Sequence, residues 1–328
     1  MKKQELHELV NKVKELTLKN DHVPTRLEFQ EECGIHKWKL DEVRGGFSKL
    51  LELAGIQHKE ELIDRPNILI LDIETLPMEV YCWDLWPEAI GLEQIIKDWS
   101  VASWSAKWLG EDKMYYQDQR KKSKRNMRDD KEMLKQILSL IDQADIVVTQ
   151  NGVSFDMKKL NARFFKHKFR PPTSYKNYDT KIIAQRFFKF SSNKLAFMTD
   201  EFNEKYKKLE HGKFPNFKLW KECMKGNKEA WKEMEEYNKH DVLSLEELFM
   251  LMLPWDTSIN WNVYTHSANN FCTCGSTKFM PHKKDKHTNV GKYARVVCVG
   301  CGKEFFKRDN LLSKEKRKNL IKQVDVLR

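Results

Sequence analysis

Apolar positions in the first sixty residues recur at helical spacing. Residues 3–19 place an apolar side chain at every third or fourth position, which gives a helix one apolar side. Thr25 followed by Glu28 has the spacing of a capping box at the start of a second helix. Further breaks are expected at Gly34, Gly45 and Gly46. The pattern predicts a small all-helical module over residues 1–60.

After residue 66 the pattern changes to short apolar runs that are typical of strands. Predicted strands cover residues 68–77, 78–86, 100–109, 112–118 and 144–150. Predicted helices cover residues 128–143, a segment beginning near Phe155, and most of 179–253. Strands followed by strand–helix alternation and then by helices favour an α/β domain over residues 66–255, with a mixed sheet flanked by helices.

Two carboxylates interrupt the apolar run ILILDIETLP, residues 68–77. Side chains two positions apart on a strand point to the same side, so Asp72 and Glu74 are expected to face one layer of the fold together. Burying two unpaired negative charges is costly. Because the strand contains no Lys or Arg, the compensating charge is either a basic residue from elsewhere in the fold or a bound cation.

Two further acidic residues stand where they could join this pair. Asp156 follows the last predicted strand, at the start of a helix. Asp241 lies four positions after Tyr237 on a long helix, so both share an apolar face with Met234 and Leu245. Four carboxylates without a matching basic cluster are the ligands that a pair of hard divalent cations, Mg²⁺ or Mn²⁺, requires.

The order D-x-E, N-G-x-x-F-D and Y-x-x-x-D resembles the tyrosine subtype of the DEDD, or DnaQ-like, superfamily of 3′-5′ exonucleases, which includes polymerase B-type proofreading domains. In the histidine subtype a His stands five positions before the last Asp. Glu236 occupies that position here, and His240 has the wrong spacing. The resemblance covers residues 67–253 and implies an RNase H-like mixed five-stranded sheet flanked by helices.

The same resemblance implies two-metal phosphodiester hydrolysis. Asp72 would bridge both ions, Glu74 and Asp241 would complete the site that activates water, and Asp156 would support the second ion. An ordinary tyrosine pKa of about 10 makes Tyr237 a poor base at neutral pH, so its hydroxyl would orient the attacking water.

Residues 18–56 resemble the short helical repeat that accompanies HNH and homing endonucleases. The resemblance lies in V-P-T-x-x-E-F, a mid-repeat glycine, and F-x-x-x-L-x-x-A-G. It implies DNA contact of the helix-turn-helix kind. Residues 1–60 hold equal numbers of basic and acidic residues, however, which leaves a structural or protein-docking role open.

Two pairs of cysteines near the C-terminal end indicate a zinc ribbon over residues 265–310. Cys298 and Cys301 have the usual C-x-x-C spacing, whereas Cys272 and Cys274 are one residue closer together. The pattern predicts one structural Zn²⁺, with buried free thiols as the alternative. Because the first pair is short, the possible substitutes for Cys272 are His266, His282 and His287.

Most of the net charge of +11 lies at the C-terminal end. Residues 256–328 hold fifteen Lys and Arg against six Asp and Glu, a net +9 that includes a predicted basic helical tail over 311–328. This excess favours a polyanionic partner, although a basic tail can serve solubility alone. Candidate phosphate contacts are Lys283, Lys284, Lys286, Lys292 and Arg295.

The chain has no apolar run long enough for a membrane span, and MKKQELHELV lacks the apolar core of a signal peptide. Seven cysteines without such a signal favour a reducing compartment, and we expect the cytoplasm of a bacterial or phage-infected cell. The leading hypothesis is a 3′-5′ exonuclease acting on DNA. RNA 3′-end processing and an inactive nucleic-acid-binding scaffold are the alternatives. With no polymerase domain visible, a proofreading role would need a polymerase in trans.

Overall fold

The computed structural model describes residues 3–20, 24, 26–35, 39–40, 43, 46–54, 66–85, 89–123, 126–207, 209, 212–264 and 270–321. The chain divides into two compact units, Met1–Asp64 and Arg65–Arg328. Within the described ranges, no helix is long and apolar enough to cross a membrane.

The first unit contains three described helices. They are α1 (Lys3–Asn20), α2 (Arg26–Cys33) and α3 (Gly46–Leu53). Val13 and Leu50 are fully buried between them, and the rings of Phe29 and Phe47 lie 5.4 Å apart. Gly34 ends α2 with φ +62°, a conformation that glycine adopts without strain. The predicted helical pattern is therefore present, while Thr25, the Glu28 side chain and Gly45 lie outside the described residues.

The second unit opens with the strands of a mixed sheet. Its strands are β1 (Ile68–Leu76), β2 (Glu79–Val80), β3 (Ile95–Lys97), β4 (Ser100–Trp108), β5 (Met114–Asp118), β6 (Ile146–Thr149) and β7 (Lys176–Asp179). Five of them form one sheet in the order β5-β4-β1-β6-β7, with β1 antiparallel to β4 and parallel to β6. The predicted RNase H-like mixed five-stranded sheet is confirmed.

One predicted strand of this sheet is wrong. Of the predicted strand 78–86, the described residues 78–85 contribute only β2, which pairs with β3 in a separate two-stranded sheet. The side chains of Tyr81 and Trp83, two of the aromatic residues that suggested a strand, are 72% and 97% exposed. The fifth strand is β7, which the sequence pattern missed because it has four residues and only Tyr178 as a buried apolar side chain.

Helices cover both sides of the sheet. They are α4 (Lys131–Ile141), α5 (Asp156–Lys166), α6 (Thr180–Phe187), α7 (Leu195–Phe202), α8 (Lys218–Met224) and α9 (Lys228–Met252), with short 3₁₀ turns at Leu92–Gln94 and Trp261–Val263. Leu69, Leu71 and Ile73 of β1 share one core with α4 and α5. The alternate side chains of β1, including Asp72 and Glu74, point to the opposite side of the sheet.

A second, smaller sheet follows the long helix α9. It contains β8 (Phe279–Pro281), β9 (Lys286–Thr288), β10 (Gly291–Cys298) and β11 (Glu304–Asn310), and the short helix α10 (Lys314–Lys318) comes after it. β10 pairs with all three other strands. The predicted basic helical tail is helical only in α10 among the described residues, and residues 322–328 lie outside them.

Candidate active site and zinc centre

Asp72 and Glu74 lie on β1 opposite two small residues of β4. The strand register pairs Asp72 with Ser105 and Glu74 with Ser103. Neighbouring side chains in such a pair share one face of the sheet. The short serine side chains leave space above the sheet, and Lys107, next on that face of β4, bonds Glu246 of α9 at 2.6 Å. The helix α9 is thereby fixed over the strand that carries both carboxylates.

Asp241 on α9 lies close to Asp72 and Glu74. Oxygen atoms of Asp72, Glu74 and Asp241 all lie within 4.8 Å of one another. This separation is comparable with the roughly 4 Å between two oxygens on opposite sides of one Mg²⁺ ion. The hydroxyl of Tyr237, one helical turn before Asp241, hydrogen-bonds its carboxylate. Three of the four predicted carboxylates and the predicted tyrosine are thus brought together.

Asp156 lies next to this group at the start of α5. Its side chain is 3% exposed and accepts a hydrogen bond of 3.3 Å from the backbone N–H of Ile73, between Asp72 and Glu74. Asp156 does not belong to the group of three whose oxygens lie within 4.8 Å. Its charge nevertheless acts on Asp72 and Glu74, since it raises the pKa of both. The fourth carboxylate therefore flanks the other three.

The loop before Asp156 explains the N-G-x-x-F-D pattern. Asn151 has φ 64°, and a Cβ atom on Gly152 would come within 2.0 Å of Thr149 Oγ1, so only glycine fits there. Asp179, at the end of β7, accepts hydrogen bonds from Asn151 N at 2.9 Å and Val153 N at 3.1 Å. The neighbouring strand β7 thus fixes the loop that positions Asp156.

The four carboxylates have raised pKa values. Burial, followed by the charges of Asp241 and Asp156, raises the pKa of Glu74 to about 8. Burial raises the pKa of Asp156 and of Asp241 to about 7 in each case, and burial together with the other three acids raises that of Asp72. The ionised forms repel one another in a poorly solvated place, and divalent cations would relieve this repulsion. The donor set therefore fits hard divalent ions.

Burial also raises the pKa of Tyr237 above its ordinary value, and the charges of Asp241, Glu74 and Asp72 act in the same direction. Its hydroxyl stays protonated at neutral pH. It can donate a hydrogen bond but is a poor base, and its role toward the attacking water stays a prediction.

Two residues that orient the carboxylates were not predicted from the sequence. Asn238 is fully buried, donates from Nδ2 to Asp72 Oδ2 at 2.5 Å, and accepts a bond of 3.3 Å from Ser103 Oγ. Trp220 of α8 hydrogen-bonds Glu74. Asn238 could have been noticed as a polar residue on the inner face of the Y-x-x-x-D helix. The sequence around Trp220 contains no comparable signal.

Four cysteines form the second cluster. The sulfur atoms of Cys272, Cys274, Cys298 and Cys301 all lie within 4.8 Å of one another. The Sγ atoms of Cys272 and Cys301 are 3.5 Å apart, and those of Cys274 and Cys298 are 3.6 Å apart. Four thiolates bound tetrahedrally to Zn²⁺ at about 2.3 Å have sulfur atoms about 3.8 Å apart. The cluster therefore has the size of a four-thiolate zinc site.

The short spacing of the first cysteine pair is accommodated by a tighter turn. Gly275 N bonds the carbonyl of Cys272 at 2.9 Å, whereas Gly302 N bonds that of Cys298, one residue further back, at the same distance. Both glycines have positive φ, 88° and 76°. Both turns thus direct their cysteines to one point without a histidine. His282 bonds the backbone of Lys284 instead, His287 lies on β9, and His266 is outside the described residues.

The five candidate phosphate contacts do not form one surface. Arg295 on β10 pairs with Glu304 at 2.9 Å, and Lys292 pairs with Asp285 at 3.1 Å. Because Lys292 is three positions from Arg295 on the same strand, the two side chains point to opposite faces of the sheet. Lys283, Lys284 and Lys286 are exposed.

A family model of known proteins matches the central part of the chain. Residues 105–253 match the family model of the RNase_H superfamily. The match includes Asp156, Tyr237 and Asp241 but begins after β1, which the structure places at the centre of the same sheet. None of the curated proteins matches the chain.

A solved structure of the family B DNA polymerase from the hyperthermophilic archaeon Pyrobaculum calidifontis aligns with a TM-score of 0.42 and 14% identity. The alignment covers 62% of this chain and 28% of the polymerase, so this chain spans less than a third of that protein. Residues 105–253 therefore resemble the RNase_H superfamily, and they contribute to an RNase H-like mixed sheet.

Proposed function

We propose that the second unit is a metal-dependent 3′-5′ exonuclease that hydrolyses phosphodiester bonds of DNA. The observation that carries this proposal is the convergence of the Asp72, Glu74 and Asp241 oxygens within 4.8 Å, with Asp156 beside them. The partners of these four acids among the described residues are uncharged: Asn238, Trp220, the Ile73 backbone and Tyr237. This supports bound cations as the compensating charge.

Each protein group has a distinct part in the proposed reaction. Two bound Mg²⁺ or Mn²⁺ ions would supply an activated water and stabilise the leaving oxygen. Asp72, whose pKa is raised by the charges of all three other acids, would bind both ions, Glu74 and Asp241 would complete the site of the ion that activates water, and Asp156 would support the second ion. The Tyr237 hydroxyl, which bonds Asp241, would orient the attacking water. Asn238 and Trp220 would keep Asp72 and Glu74 in place.

The four cysteines are proposed to bind one structural Zn²⁺. Support comes from their sulfur–sulfur distances and from the backbone N–H groups of Cys301 and Gly300, which donate to Cys298. Although burial opposes it, these bonds lower the pKa of Cys298 to about 7 and so favour its thiolate, whereas burial raises the pKa of Cys272 and of Cys274. The preference for DNA over RNA is supported only by the resemblance of residues 18–56 to an endonuclease-associated repeat.

The test is digestion of 5′-labelled single-stranded DNA, duplex DNA and RNA side by side with Mg²⁺ or Mn²⁺. Progressive shortening from the 3′ end is expected, with DNA cut faster than RNA. Asp72→Asn, which keeps the size of the side chain, should abolish turnover, whereas Asp200→Asn on the exposed side of α7 should not change it. Wild-type turnover in Asp72→Asn would contradict the assignment, and faster RNA digestion would reverse the substrate preference.

A further inference from the structure

We propose that one face of the small C-terminal sheet is a stacking platform for unpaired bases of a single-stranded nucleic acid. This face is defined by Met280, Lys286, Tyr293, Arg295 and Phe306, and we call it the ribbon face. The proposal deepens the proposed function, because it takes a nucleic acid as the ligand and specifies its single-stranded form.

Strand register puts these five residues on one face. Arg295 lies opposite Phe306 of β11, and Tyr293, two positions earlier on β10, lies opposite Lys286 of β9. Met280 of β8 lies opposite Val297, again on the same face. Directly paired residues point to the same side of a sheet. The register shifts between Tyr293 and Arg295, but the 5.7 Å between the Tyr293 and Phe306 rings shows that both still lie on this side. Cations therefore alternate with aromatic rings across the strands.

One aromatic ring of this face, Phe306, is exposed, and the other, Tyr293, is partly exposed. Phe306 is 54% exposed and Met280 is 50% exposed, large fractions for apolar side chains on a sheet. The ring of Phe306 lies 5.7 Å from that of Tyr293. Neither residue belongs to the cysteine cluster that closes the small sheet. In single-strand-binding proteins, unpaired bases stack on aromatic side chains, and the exposed ring of Phe306 with its partly exposed neighbour offers such a surface.

Gly291 allows Tyr293 to lie along the sheet. A Cβ atom at Gly291 would come within 2.6 Å of the Tyr293 hydroxyl and 2.7 Å of its ring, so the ring occupies the space above the glycine. Any larger residue at 291 would lift the ring from the sheet. A ring held along the sheet surface offers a flat side to an incoming base.

The charge around the ribbon face selects the kind of partner. Residues 256–328 carry a net +9, and Lys286 stands next to Tyr293 with no ion-pair partner among the described residues. Arg295 is partly compensated by Glu304 at 2.9 Å. Exposed rings alone would suit an apolar protein partner, but rings beside one uncompensated lysine and one partly compensated arginine suit bases joined by phosphates.

Binding is measured by fluorescence anisotropy with a labelled oligothymidylate and with a blunt duplex, at several salt concentrations and without Mg²⁺ or Mn²⁺. Cleavage cannot occur under these conditions, so failure of the exonuclease assignment would leave the binding result interpretable. Phe306→Leu, which keeps apolar bulk on the sheet, should weaken single-strand binding by about 5- to 150-fold. Its duplex affinity and its slope of log K against log salt should stay as in the wild type, because stacking releases no counterions.

Three further variants separate stacking from charge and from nonspecific effects. Phe306→Tyr keeps a ring and should restore the affinity. Lys286→Gln should lower the salt slope by about 0.7, the value for one lost phosphate contact on a single strand. Phe165→Ala, on α5 and 87% exposed, is the matched control and should bind normally. A folded Phe306→Leu protein with wild-type affinity, or one whose loss is equal for the duplex, would overturn the proposal.

Discussion

At the residue scale, Asn238 links the packing of α9 to the candidate active site. Its amide bonds both Asp72 and Ser103, so it fixes the rotamer of the central carboxylate. We expect Asn238→Leu to weaken Mn²⁺ binding by about 10- to 100-fold, the usual effect of losing a group that orients a metal ligand. Titration calorimetry with Mn²⁺ measures this without any turnover.

Asn203→Leu provides the matched control for this variant. Asn203 is also buried and donates to the carbonyl of Ser244 on α9, but it does not contact the carboxylates. Both variants should lose stability, whereas only Asn238→Leu should lose Mn²⁺ affinity. Equal Mn²⁺ affinities in the two proteins would show that Asn238 serves packing alone.

The sequence predicts the acidic residues of the site better than their supports. Asp72 and Glu74 are conspicuous because charges are rare in a buried strand, and Asp241 because it stands on an apolar helix face. Asn238, Trp220 and Asp179 act through hydrogen bonds between segments far apart in the chain. Residue spacing within one segment carries no information about such contacts.

At the element scale, β1 is predicted from its own residues, whereas β7 depends on contacts with a distant segment. β1 has nine residues whose apolar positions show in the sequence, and β4 is buried along its whole length. β7 has four residues, KNYD, of which two are only partly buried, and it is held in the sheet by pairing with β6. The aromatic residues of 78–86 suggested a strand, but within the described residues 78–85 a strand forms only where β3 provides a partner.

The two cysteine turns support a prediction about zinc. Metal analysis should find about one zinc per chain after Mg²⁺ has been removed, and Cys298→Ser combined with Cys301→Ser should release it. Cys272→Ser should also weaken binding, because Cys272 reaches Cys301 at 3.5 Å despite the short first pair. Cys82→Ser, an exposed cysteine away from the cluster, is the control. A full equivalent of zinc in the double variant would refute the site.

At the scale of the whole molecule, the small C-terminal sheet is connected to the end of α9. Lys303 of the loop after Cys301 is 7% exposed, and its Nζ donates to the carbonyl of Leu253 at 2.8 Å and to Thr273 Oγ1 at 3.4 Å. Lys176 Nζ of β7 similarly bonds the carbonyl of Ser258 at 2.6 Å. Removing residues 256–328 to test their role in binding would therefore also remove contacts that stabilise the RNase H-like domain.

A single substitution tests this connection without truncation. Lys303→Met keeps the aliphatic length but leaves the buried carbonyl of Leu253 without this donor, at a cost of about 1–3 kcal/mol. The ammonium also lies at the C-terminal end of α9, where the helix dipole favours a positive charge. We expect the melting temperature to fall by several degrees. Lys307→Met, an exposed lysine of β11, removes the same charge and should melt as the wild type does. If both variants melted alike, Lys303 would contribute nothing to stability, and the small sheet would be held to α9 by other contacts.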